Sequence, residues 1–199
     1  GPMSMKPAAL CTLLASSLLL GACASRPEPA KTAATPPASA PAAPFLERSL
    51  RLDNVLLGPQ PGAEDFAAVR ARGITRVINL RTPEETATLG FDPAAAAASA
   101  GLDYRVLPVP SSGGFSPAVL DAFSAEMARG GELLLHCGTG ARAGQLYAAW
   151  LVRERGLSPQ EAMQRVAPLG LWPLPMERLL GRPLTIDFAA PTGGDAPRS

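Results

Sequence analysis

Histidine occurs once in this 199-residue chain, at position 136, and cysteine only three times. With one histidine and one cysteine in the part that reads as folded, the usual ligand sets for zinc cannot be assembled. No metal and no other cofactor is expected. The cysteines are also badly placed for disulfides. Cys11 lies in an apolar leader, Cys23 closes that leader, and Cys137 stands alone in the globular part. A chain stapled by disulfides would show an even set within the fold, so Cys137 is a candidate reactive thiol. Charge of one sign is not in excess either. A net charge of +1 argues against a broad basic surface for nucleic acid or anionic lipid, so any bound anion must be gripped locally. No internal repeat is visible. Hydrophobic residues make up 47% of the chain, enough for the core of one ordinary domain.

The first two residues, Gly1-Pro2, read as a tag remnant. From Met3 to Ala22 a short positive region (Lys6) leads into an apolar run, Ala8 to Leu20, and ends in Leu20-Gly21-Ala22-Cys23. That run is short for a membrane span and closes on small residues, as a cleaved signal peptide does. The ending resembles a bacterial lipobox, which makes Cys23 the expected lipidation site. Ala24 after it points to the outer membrane, facing the periplasm. Residues 23–44 are mostly Ala, Pro, Ser and Thr and read as an extended tether. The domain is expected over 45–190, and the Pro/Gly-rich tail 191–199 reads as disordered.

Four apolar runs read as strands: Leu52–Leu57, Ile74–Leu80, Leu102–Val109 and Glu132–His136. Helical signals lie between them. Glu64–Arg72 ends at Gly73, and Pro93–Ala100 is closed by Gly101. Ser116-Pro117 opens a helix to about Arg129. Ala143–Arg155 is stopped by Gly156, Ser158-Pro159-Gln160-Glu161 is a capping box, and Leu171–Leu180 holds a short last helix. Alternating strands and helices predict an α/β fold, a small central parallel sheet of about four strands flanked by helices. Ligands bind such sheets beyond the carboxyl ends of the strands. Four loops should converge there: Gly58–Gly62, Arg81–Glu85, Pro110–Phe115 and Cys137–Arg142.

The last of these loops carries the chemistry. A strand runs directly into His136-Cys137-Gly138-Thr139-Gly140-Ala141-Arg142 and then a helix. Gly138 and Gly140 let the backbone curl so that N–H groups from Gly138 to Arg142 point inward, and the helix adds the positive end of its dipole. A thiolate at Cys137 is stabilised there as a nucleophile. Arg142 offers a planar fork for two oxygens of one oxyanion. His136 is read either as a neutral core residue or as a support for the thiolate loop.

His136–Arg142 resembles the signature of the cysteine-dependent protein tyrosine and dual-specificity phosphatases. More of the chain is similar to a bacterial branch, the beta-lactamase-hydrolase-like protein phosphatases. Asn54–Pro61, Val77–Arg81 with Glu84-Glu85, Tyr104–Val109 and Gly156–Ala162 carry that resemblance across residues 50–171. It implies a dual-specificity-phosphatase-like fold. It also implies hydrolysis of a phosphate monoester, with phosphotyrosine as one candidate, through a phosphocysteine on Cys137, with His136 and Arg142 assisting. The partner is then a phosphorylated protein or a small phosphate monoester, with the membrane touched only through the lipid on Cys23.

Three departures from the wider superfamily keep other readings open. Four residues separate Cys137 from Arg142, where ordinary tyrosine phosphatases have five; this spacing also occurs in rhodaneses, so a sulfurtransferase is an alternative. Ala143 stands where most of these phosphatases have Ser or Thr. The loop Pro110-Ser111-Ser112-Gly113-Gly114 lacks the usual general-acid Asp, for which Glu84 or Glu85 is the candidate substitute. A non-catalytic phosphate-binding module is the second alternative. An exposed Cys137 in an oxidising periplasm would also risk sulfenic acid.

Overall fold

The computed structural model describes residues 43–170 and 174–185. The tag remnant, leader, Cys23, tether to residue 42 and tail 191–199 lie outside the described residues. So do 171–173 of the last expected helix and 186–190 of the expected domain.

A five-stranded sheet forms the centre. Strands β1 (Leu50–Leu52), β2 (Val55–Gly58), β3 (Arg76–Asn79), β4 (Asp103–Val106) and β5 (Leu133–His136) lie in the order β1-β2-β5-β3-β4. The last four are parallel, as expected, and β1 pairs antiparallel with β2. Every residue of β2, β3 and β5 is buried, the continuous pattern of strands covered on both faces. The run Leu52–Leu57 was expected as one strand. It breaks at Asp53-Asn54, where Asp53 takes a φ of 52°. An aspartate tolerates that left-handed backbone, and the two-residue turn folds the run into a hairpin. The sheet is therefore mixed, with a fifth strand on its edge.

Alternate strand residues feed two apolar layers. Leu56, Val77 and Leu134 pack with Phe45 and with Phe66 and Val69 of α1 (Asp65–Ala71), and with Ala97 of α3 (Pro93–Ser99). Val55, Leu57, Ile78, Leu133 and Leu135 pack on the other side. There they meet Leu120 and Phe123 of α4 (Pro117–Ala128), Leu146 and Tyr147 of α5 (Ala141–Arg155), Ala162 of α6 (Pro159–Arg165), and Met176 and Leu179 of α7 (Leu174–Leu180). Helix α5 is buried from Ala143 to Val152 without a break, so it is the central helix of that layer.

The helix starts follow the caps. Ser116 accepts from Val119 N–H, Asp92 from Ala94 and Ala95, and Ser158 and Glu161 close a reciprocal capping box. A short helix, α2 (Pro83–Ala87), stands where only a loop was expected. Thr82 and Glu85 cap it by the same reciprocal bonding.

Candidate active site

Beyond the carboxyl ends of the parallel strands, the segment from Cys137 to Arg142 curls into a cradle. Neighbouring loops fix it from outside. Cys137 N–H donates to Gly58 O at 3.3 Å, Gln60 N–H to Gly138 O at 3.0 Å, and Leu80 N–H to His136 O at 2.9 Å. Gly140 takes a φ of 96°, which favours glycine, and forms the N-cap of α5. Its N–H points back at Cys137 Sγ, 3.1 Å away. Thr139 Oγ1 accepts from Ala141 N–H at the rim, 3.5 Å away. Cys137 is only 1% exposed. The expected exposed thiol is instead a thiol at the floor of the cradle, because the residue continues β5 into the core.

Arg142 is held on its outer side by two partners. Nη1 donates to Glu85 Oε2 at 2.9 Å and to Val109 O at 2.8 Å, and Nη2 to Glu85 Oε1 at 2.7 Å. This two-pronged grip fixes the plane of the guanidinium. The Glu85 hydrogen bonds, with a further contribution from Cys137, hold the Arg142 guanidinium above its ordinary pKa. The same bonds, aided by the Thr82 N–H, pull Glu85 down to about 2 against the opposing effect of burial. Glu85 as general acid is thereby corrected. It has no proton to give near neutral pH, and its oxygens are occupied by Arg142 and by the capping of α2. Glu84 is exposed on the same turn and makes no hydrogen bond among the described residues. Val109, just before the loop Pro110–Phe115, gives its carbonyl to Arg142.

His136 is fully buried, and desolvation lowers it to about 4. Its Nδ1 lies 3.2 Å from Cys137 O. A carbonyl can only accept, so the proton sits on Nδ1. The ring is a neutral brace under the cradle.

Sequence reasoning passed over several residues around the cradle. Arg81 lies beside it, 14% exposed, with Nη1 donating to Gln60 Oε1 at 3.0 Å. Asn79 orients the turn before it, accepting from Arg81 N–H at 2.8 Å and donating to Tyr104 Oη at 2.9 Å. The signal for these was present in Asn79 and Arg81, a polar and a charged residue interrupting the end of the apolar run Ile74–Leu80.

With this geometry, comparison with known proteins is informative. The family model for the phosphatase-like domain of beta-lactamase hydrolase-like proteins matches residues 48–152. The chain belongs to that family. A beta-lactamase hydrolase-like protein from Xylella fastidiosa is 36% identical over 99 residues, covering 48% of this chain and 23% of that protein. The chain thus spans under a quarter of the length of that relative. Among solved structures, Tk-PTP in its active form superposes with a TM-score of 0.56 at 23% identity, over 68% of this chain and 97% of that one. PTPMT1 does so with a TM-score of 0.55 at 25% identity, over 67% and 92%. The fold of this phosphatase-like domain is therefore the dual-specificity-phosphatase-like fold expected, and Cys137 to Arg142 occupy the junction of its last strand and central helix.

Proposed function

We propose that this phosphatase-like domain hydrolyses phosphate monoesters through Cys137. The observation that carries the reading is the Gly140 N–H aimed at Cys137 Sγ beside an Arg142 fork clamped by Glu85 and Val109. The nucleophilic sulfur, a backbone donor and a fixed cation are then held before substrate arrives. The thiolate attacks phosphorus, the ester oxygen departs with the bonding electrons, and it takes its proton from water. A second water then attacks the phosphocysteine and releases inorganic phosphate and the free thiolate. With Glu85 ionised, the first step favours leaving groups that depart without a proton. Family membership supports the reading, as does the fold shared with PTPMT1, which has been solved with PI(5)P.

The test is turnover of an aryl phosphate with a good leaving group, under reducing conditions, beside Cys137→Ser. Thiol-dependent turnover that vanishes in the variant is the expected result. Turnover retained without Cys137 would sink the mechanism. Folded, reduced protein that binds phosphate without turnover would favour the binding-module alternative, for which the ionised Glu85 is the supporting observation.

We also propose that Cys23 is the lipidated N-terminus of a mature outer-membrane protein facing the periplasm. Mass spectrometry of the envelope form should find a diacylglycerol on that residue, and Cys23→Ser should release the domain from the membrane fraction. A free, uncleaved leader would contradict the assignment.

A further inference from the structure

Arg81 has an unused hydrogen-bonding group at the cradle. Its guanidinium is 14% exposed, and one nitrogen, Nη1, is engaged by Gln60. Its Nε is buried and has no hydrogen-bond partner. The nearest acidic oxygen, Glu85 Oε1, is 3.7 Å away and already takes a 2.7 Å bond from Arg142 Nη2. A buried N–H of a charged group left unpaired is unfavourable, so its position needs a reason.

Gly138 indicates one. A methyl group added there would lie 3.6 Å from Arg142 Nη2 and 4.0 Å from Arg81 Nε. Both guanidinium groups therefore flank the space above Gly138, which has no side chain to fill it. In the function proposed above, one phosphoryl group fills the Cys137 cradle and the Arg142 fork. That leaves the Arg81 donor without an anion, apart from Glu85 at the far side.

We propose that Arg81 is the second arm of an anion clamp, and that the site takes ligands bearing two phosphoryl groups close together, as in a bisphosphate or a phosphoanhydride. This rests on the cradle binding phosphate as proposed above and names the class of ligand it prefers. The second anionic group lies against the accessible edge of the Arg81 guanidinium, next to the space above Gly138, with Gln60 holding the fork in place. A phosphoanhydride in particular suits a site where Glu85 is ionised, because a departing phosphate needs no proton from the protein.

The test is calorimetric binding of methylenebisphosphonate, an analogue that cannot be hydrolysed, against orthophosphate, using the full reduced chain. The bisphosphonate should bind at least about tenfold tighter, the size of one added charge-assisted hydrogen bond. Arg81→Gln should bring the ratio of the two affinities near one, and Arg81→Lys should leave it intermediate, since it keeps charge without the fork. Equal affinities in the parent protein would overturn the proposal. So would equal weakening of both ligands in Arg81→Gln and Arg81→Lys, the result expected if Arg81 only braces the fold. The readout needs no turnover. A ratio that holds without aryl phosphatase activity leaves the clamp standing and removes the phosphatase reading. Turnover with a ratio near one does the reverse.

Discussion

Glu85 does at the residue scale what is often divided among several side chains. It closes the capping box of α2 and grips Arg142 with both oxygens. Glu85→Gln should lower stability by about 2 kcal/mol, the range for hydrogen bonds to charged groups. It should also lower kcat by roughly 100-fold, since a freed Arg142 is no longer pre-positioned. Thermal unfolding and initial rates check the two effects. The pH dependence follows from the depressed carboxylate. Its ordinary value is 4.5 and its folded value about 2, so the contribution is fully present above about 4.5 and is lost as pH falls toward 2. The difference in melting temperature between the parent and Glu85→Gln should therefore narrow through that window. His136 acts in the same direction over a different interval. Its folded value is lowered from 6.5 to about 4, so the unfolded chain binds its proton first and stability falls as pH drops from 6.5 toward 4. Nitrogen NMR should find the ring neutral at pH 6. A ring charged at that pH would contradict its role as a buried brace. The sequence exposed Cys137, Gly140 and Arg142 because their spacing is local. It did not expose Arg142's partners, which lie 57 and 33 residues away and are joined to it only by folding.

At the scale of elements, legibility followed local chemistry. Strands β2, β3 and β5 were read from apolar runs, and α4 and α6 from their serine caps. Helix α2 is legible in the same terms, since Thr82-Pro83-Glu84-Glu85 has the form of the Ser158-Pro159-Gln160-Glu161 capping box, but its five residues bury no side chain and so carry no apolar pattern. The β1–β2 hairpin is marked in Leu52–Leu57 only by the polar pair Asp53-Asn54, a break too short to separate two strands by hydropathy. Helix α5 begins at Ala141 rather than Ala143, because Gly140 in its left-handed conformation already forms the N-cap. Gly140→Ala should therefore cost about 1 kcal/mol or more. The added methyl meets Gly58 only in ordinary contact, 3.5 Å from its carbonyl carbon; because the strained residue carries the N–H aimed at Cys137 Sγ, phosphate affinity should fall alongside the melting temperature. Ser158→Ala, far from the cradle, should cost about 1 kcal/mol and leave phosphate affinity alone.

For the molecule as a whole, the core and the cradle differ in how firmly they are anchored. Helix α5 contributes ten consecutive buried residues, whereas α2 contributes none. Elements with no buried side chains open at the low end of the range of local stabilities, yet α2 supplies the carboxylate that steadies Arg142. A peptide containing only His136 to Arg155 would therefore carry the whole recognisable motif and no working site. In rising denaturant, phosphate binding should disappear while far-ultraviolet circular dichroism is still native. On refolding it should return only after the sheet has formed. The proposed anion binding should thus be the last property this chain acquires as it folds and the first it gives up.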